Sequence, residues 1–406
     1  MVFSRRDFLA TSGAIAVAAS VGMPRRARAA ETIKVGFTTA LTGPFNEFGE
    51  GYKRGIELAI EKINGAGGVM GRPIEIAMML DDQLIPDRSV QNMRRILDNK
   101  DIVGLFCPSG SGPTLAVIDM ITADGRPAMN PQAQTPTVIY PGGPGTKPRP
   151  NVYTFSIQND IEANFMAGIL AKKFTRIGLL NESTGYGKTG GELVQAGIMR
   201  INKDAVVTHE SYNQKDQDMT AQLVRMQRAR SEALMVVGLG ADMAVIRKNM
   251  VRMNMTIPLY VSAGGFSPPY AEGAGELALG TKGSQFRKIA TKPPAPEVAA
   301  FLNAYKAKHG TDRLWGSDPE IPSPSMGGTV ASGYDGMLVM ADAWRRAGTT
   351  EAAATIKAMD ATKGFVGVNC SYEFTPDKHH AIEVDDLTTY EYAKVDGRMM
   401  LVQTSL

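Results

Sequence analysis

A glycine-rich segment in the middle of the chain has the spacing of a dinucleotide-binding loop. Residues 185–190 read G-Y-G-K-T-G and match G-x-G-x-x-G, and Glu210 ends the next predicted strand, where a ribose-binding acid is expected. However, the four residues 181–184 separate the preceding strand from the first glycine, whereas a dinucleotide loop turns tightly at the strand end. A phosphate loop is excluded because Glu182 stands where its first glycine should be. Nucleotide binding therefore stays only as an alternative.

A serine between two glycines, Gly110-Ser111-Gly112, is the second candidate for chemistry. A nucleophile elbow requires glycine two residues before the serine, and Ser109 occupies that position. No pair of carboxylates stands out from ordinary surface charge. The histidines have neither the spacing of a zinc site nor an evident role as base for a serine: His209, His309, His379 and His380. The sequence therefore predicts no enzyme, no metal site and no cofactor.

Short β-rich runs alternate with helical patterns along the chain, and they position these loops. Residues Tyr52, Ile56 and Ile63, for example, lie on one face of a helix predicted over 49–64. The pattern forms two series, separated by a Pro/Gly-rich loop at 141–150. Strands are predicted over 33–38, 74–80, 102–106, 127–129, 176–180, 205–209, 233–238 and 258–261, with β-like segments at 372–374 and 387–395. Helices are predicted over 87–99, 113–123, 160–173, 188–202, 219–230, 241–253, 296–309 and 328–347. Such alternation indicates parallel sheets covered by helices on both faces.

An aromatic–glycine pair follows the first strand of each series. Phe48-Gly49 occupies this place in the first series and Tyr186-Gly187 in the second. In open α/β sheets, ligands bind beyond the carboxyl ends of the strands. Because a chain of this length exceeds what one core usually organises, two lobes are expected. The two loops are therefore predicted to face a cleft between the lobes.

The first thirty residues have the layout of a secretory leader. Arg5 and Arg6 form a twin-arginine pair, residues 8–23 are uncharged, and a small-x-small cleavage pattern ends at Ala29. The uncharged run of sixteen residues is shorter than the roughly 20 that span a bilayer. We expect export by the Tat route, cleavage near Ala29 or Ala30, a periplasmic location and no stable membrane insertion.

The leader carries most of the positive charge of the chain. Residues 1–29 hold five arginines and one aspartate, a net charge of +4, so the +3 of the whole chain leaves about −1 for the remainder. No cluster of Lys and Arg remains that would indicate nucleic acid or anionic lipid as a partner. Cys107 and Cys370 are too few for a disulfide framework. We expect two buried free thiols, although a bond between them stays an alternative.

Several segments of the chain resemble one known family in their sequence and in their order. The segments are 41–44, 48–49, 63–69, 71–72, 81–86, 107–114, 131–136, 186–187, 333–335 and 341–348. They resemble the Leu/Ile/Val-binding family of periplasmic solute-binding proteins that serve ABC transporters, over nearly the whole chain after the leader. The resemblance implies an α/β fold, the type I periplasmic binding protein, with two Rossmann-like lobes, parallel central sheets and a three-segment hinge. The first lobe would comprise residues 31–155 plus 283–366, and the second 156–282 plus 367–406, after a leader at 1–30.

The resemblance also implies where a ligand binds. In relatives that bind amino acids, the loop after the third strand holds the ligand carboxylate, and this loop contains Ser109, Gly110 and Ser111 here. Hydroxyl groups and backbone N–H groups at the start of a helix suit an anion. The alternative is that these residues only cap the helix. Gln134 stands where the family usually has a ligand-binding threonine.

Three further positions of the family form the walls of the ligand site. They correspond to Phe48 and Tyr186, which are aromatic here, and to Leu239, which is not. After the last strand of the second series, relatives that bind α-amino acids usually present an acid to the ammonium group. Residues 261–266 of this chain, which include Gly264 and Phe266, contain no carboxylate.

A missing acid changes the class of ligand that is expected. Burying an ammonium group without an anionic partner costs several kcal/mol. Our hypothesis is a small hydrophobic or aromatic carboxylate, held by Ser109 and Ser111 and stacked among Phe48, Tyr186 and Phe266. A branched-chain amino acid is the alternative, with an acid supplied from elsewhere in the chain.

The expected function is ligand capture by hinge closure, with delivery to the permease and ATPase subunits of an ABC importer. The protein is expected to act as a monomer. Two other classes stay open: an exported nucleotide-dependent oxidoreductase, with its cofactor at 185–190, and a ligand-sensing domain that serves a signalling partner.

Overall fold

The computed structural model describes residues 31–310, 327–395 and 397–404. The predicted leader, residues 1–30, lies outside the described residues. Within them the chain forms two α/β lobes, each built around one central sheet. The fold class predicted from the sequence is confirmed, with one difference in the second sheet.

The first lobe contains a five-stranded parallel sheet in the order β2-β1-β3-β4-β5. Four of its strands are short, largely buried runs, as helices on either side of a parallel sheet require, whereas the edge strand β2 is mostly half-buried. In the register of the sheet, Ile33 pairs with Ile74 and Leu105 pairs with Ala128. The strands are β1 (Ile33–Thr39), β2 (Ile74–Asp81), β3 (Ile102–Phe106), β4 (Ala128–Asn130) and β5 (Val152–Thr154).

Six helices of the described residues belong to this lobe, and two of them cross at very close range. A Cβ atom at Gly55 of α1 would lie 1.9 Å from the carbonyl oxygen of Val330 in α10, so only glycine permits this crossing. The helices are α1 (Asn46–Gly65), α2 (Pro86–Asp98), α3 (Ser111–Asp124), α9 (Pro296–His309), α10 (Gly327–Ala347) and α11 (Ala352–Asp360).

The second lobe contains a seven-stranded sheet in the order β14-β13-β10-β9-β8-β6-β7. Five strands are parallel, whereas β13 and β14 add an antiparallel edge that the predicted parallel sheet lacked. The strands are β6 (Ile177–Glu182), β7 (Val206–Tyr212), β8 (Ala233–Val237), β9 (Leu259–Val261), β10 (Lys282–Phe286), β13 (Leu387–Val395) and β14 (Arg398–Thr404). The helices are α4 (Asn159–Lys173), α5 (Gly185–Ile201), α6 (Thr220–Arg228), α7 (Gly240–Arg252) and α8 (Pro268–Ala274).

The strand pairing moves two of the lobe boundaries that the resemblance implied. Residues 283–286 belong to the second lobe, because β10 pairs with β9 and β13. Residues from 367 to about 382 pack on the first lobe, because Tyr372 contacts Phe155 with ring centroids 4.8 Å apart, and His379 accepts a backbone hydrogen bond from Thr154. A small hairpin, β11 (Phe365–Val366) and β12 (Ser371–Tyr372), lies in this segment.

The chain passes between the lobes three times, at 155–158, at 287–295 and at about 375–386. Cys107 and Cys370 are both buried and free, in agreement with the expected pair of thiols. Among the residues that the structure describes, no helix is both long and apolar enough to cross a membrane.

Candidate ligand-binding cleft between the lobes

A cavity of about 620 Å³, counting space that opens to solvent, lies where the carboxyl ends of both sheets meet. Both lobes line it, with the following residues: Phe48, Leu84, Pro86, Gly110, Ser111, Gly112, Pro113, Gln132, Gln134, Thr184, Tyr186, Gln214, Leu239 and Gly264. A smaller cavity adjoins it and shares Phe48, Gln132, Gln134 and Gly264.

The N-terminus of α3 forms one end of the cleft. Gly110 precedes the helix with a left-handed backbone (φ 80°), and its N–H donates to Gln132 Oε1 at 2.5 Å. The next N–H groups, those of Ser111 and Gly112, lie in the first turn, where an α-helix offers no acceptor of its own. Pro113 has no N–H, and the first turn carries no acidic side chain. The positive end of the helix dipole is therefore available to an anion in the cleft.

The two serines of this loop have different surroundings. Ser111 lines the cleft, and its Oγ accepts hydrogen bonds from the backbone N–H groups of Gln134 and Thr135, both at 3.2 Å. Its own hydroxyl proton stays available to a ligand. Ser109 does not line the cleft, because its side chain is fully buried and its Oγ accepts from Thr39 Oγ1 and the N–H of Ala40. The structure therefore does not bring Ser109 to the cleft lining, where the sequence analysis expected it.

Phe48, Tyr186 and Leu239 all line the cleft. The Tyr186 hydroxyl donates to Ser262 Oγ at 2.8 Å and accepts from the N–H of Gly264 at 3.3 Å. Burial raises the pKa of Tyr186 well above its ordinary value, so the phenol stays neutral. The ring is thus held in place by its own lobe and presents an apolar face to the cleft.

Phe266, in contrast, lies away from the cleft. A short 3-10 turn, Ala263–Gly265, comes directly before it. Phe266 is fully buried in the core of the second lobe, with its ring centroid 5.5 Å from that of Tyr392. The structure therefore does not bring this ring to the cleft, where the sequence analysis expected it to stack on the ligand.

No charged side chain lines either cavity among the described residues. The acid found behind the second lobe's loop is Glu162, in the first turn of α4. Its Oε1 accepts from the N–H of Ala263 at 2.6 Å and from Ser284 Oγ, and the side chain is 2% exposed. Burial raises the pKa of Glu162 to about 7, although both hydrogen bonds oppose the shift.

The glycine-rich segment at 185–190 begins α5 and does not hold a nucleotide phosphate. Glu182 Oε1 accepts from the N–H of Gly187 at 2.7 Å, and Oε2 accepts from the N–H of Thr184 at 2.6 Å. The carboxylate thus occupies the end of α5 where a phosphate would bind. Gly190 permits close packing, because a Cβ there would lie 2.7 Å from Val237.

Seven lining residues were absent from the sequence prediction: Leu84, Pro86, Gly112, Pro113, Gln132, Thr184 and Gln214. Gln132 and Thr184 lie in segments that the sequence had already singled out. Leu84 and Gln214 were not signalled by their residue type, and Glu162 was missed because nothing local showed that it is buried.

Comparison with known proteins agrees with this fold. A sequence profile of the periplasmic binding protein family matches residues 32–395. A crystal structure of a type 1 periplasmic binding protein from Bordetella pertussis is 52% identical, covers 92% of this chain and 100% of that chain, and superposes with a TM-score of 0.89. The Leu/Ile/Val-binding protein homolog 3 of Brucella melitensis is 27% identical over 84% of this chain and 86% of its own length.

A solute-binding protein of an ABC transporter from R. palustris, solved in complex with benzoate, shares the fold. It is 17% identical, covers 92% of this chain and 96% of that chain, and has a TM-score of 0.76. The profile match spans nearly the whole chain after residue 31. The chain therefore belongs to the periplasmic binding protein family, and within it to the branched-chain amino acid type.

Proposed function

We propose that this protein captures a small hydrophobic or aromatic carboxylate in the cleft between its lobes. The observation that carries the proposal is a contrast within the cleft. One end offers the N–H groups of Ser111 and Gly112, whereas no charged side chain lines the cleft among the described residues. A ligand with one negative charge and an otherwise apolar body suits both features.

The carboxylate binds at the N-terminus of α3. Two backbone N–H groups and the hydroxyl of Ser111 provide three donors to its two oxygen atoms. Hydrogen bonds to a charged acceptor are stronger than neutral ones, and the helix dipole adds to them. The anion needs no lysine or arginine partner in this position.

The apolar body of the ligand packs between the walls of the cleft. Phe48, Leu84 and Pro86 belong to the first lobe, and Tyr186 and Leu239 belong to the second. Burial of a ring against these side chains supplies the rest of the affinity at about 25 cal/mol per Å². The benzoate complex of the R. palustris protein supports this ligand class, because that protein has the same fold.

A branched-chain amino acid is the alternative ligand. The name of the Brucella relative favours it. Glu162 is the acid that a ligand ammonium would then need, but its Oε1 already accepts two hydrogen bonds from the protein. An amino acid would therefore have to displace this arrangement or share it.

Capture proceeds by closure of the lobes. Thr135 Oγ1 of the first lobe donates to the carbonyl of Gly185 in the second at 3.0 Å, and Lys215 Nζ lies 5.9 Å from the ring centroid of Phe45 across the mouth. A ligand that contacts both lobes shifts the population toward this closed arrangement. The closed protein, exported through the Tat route and cleaved near Ala29 or Ala30, acts as a monomer that delivers the ligand to the permease and ATPase of an ABC importer.

The test is a thermal unfolding screen of residues 31–406, freed of bound ligand by unfolding and refolding. Benzoate and its analogues are compared with leucine, isoleucine and valine. A ligand present at 100 times its Kd stabilises the fold by about 2.7 kcal/mol, which shifts Tm by several degrees. Stabilisation by benzoate and not by leucine supports the proposal. Stabilisation by leucine or valine alone contradicts it and favours the amino acid.

A further inference from the structure

The turn that follows β2 has an unusual backbone. Gln83 and Leu84 are consecutive residues with left-handed conformations, φ 55° and φ 61°, and the N–H of Ile85 donates to the carbonyl of Asp82 at 2.9 Å to close the turn. Turns of this kind normally contain asparagine and glycine, because a Cβ atom disfavours the left-handed region. A leucine in such a position persists only where its surroundings hold it.

Two buried or partly buried carboxylates hold this turn. Asp82, which is fully buried, accepts from the N–H of Leu84 through Oδ1, and from Thr38 Oγ1 and Ser89 Oγ through Oδ2. Asp81 Oδ1 accepts from the N–H of Gln83 at 3.0 Å. Both left-handed residues are thus fixed by their own N–H groups.

The two residues of the turn point to different surroundings. The side chain of Leu84 lines the cleft, and its Cδ1 atom lies 2.7 Å from the position of a Cβ at Gly110, the residue that precedes α3. Gln83 is not among the lining residues, and its Nε2 donates to Thr42 Oγ1 at 2.8 Å. Leu84 therefore forms a wall beside the end of the cleft that offers donors to an anion.

We infer that Leu84 is a specificity-determining residue, which selects the ligand by shape next to its carboxylate. This inference rests on the proposed function. Because hydrogen bonds hold the backbone of this turn, its side chain does not move aside for a larger ligand, whereas a side chain on a flexible loop would. A ligand with an added methyl group that meets such a wall should bind about 10-fold or more weakly than the ligand without it. This is the range known for single methylene groups in apolar pockets.

The test measures Kd by titration calorimetry for benzoate and for 2-, 3- and 4-methylbenzoate. Wild type, Leu84→Ala and Gln83→Ala are compared. We expect wild type to bind at least one methyl isomer about 10-fold more weakly than benzoate, and Leu84→Ala to abolish this preference while it weakens benzoate itself. Gln83→Ala, in the same left-handed turn but outside the cleft, should leave all four values within about twofold.

Three outcomes separate the inference from the proposed function. If wild type binds none of the four acids, the proposed function fails and the inference fails with it. If wild type binds all four acids equally, or if Leu84→Ala changes all four Kd values by one common factor, only the inference is overturned. Should Leu84→Ala not fold, Leu84→Met keeps the volume but replaces the branched side chain with a flexible one, and it should flatten the preference in the same direction.

Discussion

The N-termini of α3 and α5 reach the same cleft from opposite lobes, yet only one of them is open to a ligand. Each helix follows a buried strand of its sheet and begins in a glycine-rich segment. At α3 the first-turn N–H groups of Ser111 and Gly112 face no acid of their own helix. At α5 the carboxylate of Glu182 already accepts from Gly187 and Thr184.

The contrast shows that a helix N-terminus is an anion site only where the chain does not supply its own anion. The glycines of the two segments look equally suited to bind phosphate or carboxylate. The acid that precedes α5 makes the difference between the two segments, because the Glu182 carboxylate would repel a ligand anion beside it. In the proposed function, the first lobe therefore contributes charge recognition together with the apolar wall at Leu84, and the second lobe contributes apolar walls through Tyr186 and Leu239.

Replacing Gly112 with aspartate should make α3 resemble α5, and it has the largest expected effect. A Cβ at Gly112 meets no described atom within 4 Å, so the substitution fits sterically. The new carboxylate competes for the helix N-terminus and repels the ligand, so benzoate affinity should fall about 1,000-fold, or about 4 kcal/mol. Titration calorimetry measures the loss. Tm without ligand should not fall, because an acid in the first turn stabilises a helix.

The matched control is Gly112→Asn, which has the same size without the charge. It should weaken benzoate by about 10-fold or less. Equal losses of benzoate affinity in the aspartate and asparagine variants would show that only the size of the residue at position 112 matters. The explanation of the difference between α3 and α5 by charge would then be wrong.

The next prediction concerns the second lobe's own acid, Glu162. Burial raises its pKa from the ordinary 4.5 to about 7 in the folded protein. The folded state then holds a proton that the unfolded state releases, so this group makes stability fall as pH rises from about 4.5 to about 7, by up to about 3 kcal/mol. In Glu162→Gln this part of the pH dependence should be lost. Urea unfolding at several pH values measures it in both proteins.

Other buried acids, such as Asp82, Asp242 and Asp335, shift in the same direction, to about 6, so some pH dependence should remain in Glu162→Gln. Equal slopes in wild type and variant would contradict the assignment to Glu162. The same variant sharpens the comparison of the lobes. Benzoate binding should stay within about threefold of wild type, whereas a large loss of leucine binding would mean that the second lobe supplies charge after all.

The smallest predicted effect separates the two serines of the first lobe. Ser111→Ala removes a donor to the ligand and should weaken benzoate about 10-fold, or about 1.4 kcal/mol. It also leaves the N–H groups of Gln134 and Thr135 without this acceptor, so its free energy of unfolding should fall as well. Ser109→Ala leaves the buried N–H of Ala40 without its acceptor and should lower the free energy of unfolding by about 1–3 kcal/mol, with benzoate binding unchanged. In both variants, titration calorimetry measures the affinity for benzoate and urea unfolding measures the free energy of unfolding. If Ser109→Ala weakens binding as much as Ser111→Ala, the distinction between them is wrong.

Much of the fold could be predicted because local sequence patterns indicate its strands and helices. The alternation of apolar strands with amphipathic helices predicted eight of the strands that the two central sheets contain, within a few residues. The predicted β-like segment at 387–395 corresponds to β13. The pattern missed three strands: β5, which has three residues, β10, whose sequence Lys-Gly-Ser-Gln-Phe is not apolar, and the edge strand β14. The lobe boundaries shifted for the same reason, since β10 joins its sheet through pairing with β13, about 100 residues later.

The candidate site was predictable where a strand end and a helix start define it. Phe48, Ser111, Tyr186 and Leu239 all stand at such places, and all line the cleft. Ser109 and Phe266 are buried and do not line the cleft, because one turn of backbone decides whether a side chain faces the cleft or the core. Leu84 could not be foreseen, since its position depends on a left-handed turn that its residue type disfavours.

The order of the lobes along the chain has a consequence for how the protein is made. The sheet of the first lobe is complete at Thr154, but α10 and the hairpin that cover it come after residue 326. During synthesis this sheet therefore stays partly uncovered until the whole parallel part of the second lobe has been made. Such long-range closure is slow and exposes apolar surface to aggregation. We expect a chain truncated near residue 320 to aggregate more readily than the full chain, which light scattering during refolding of both chains would measure.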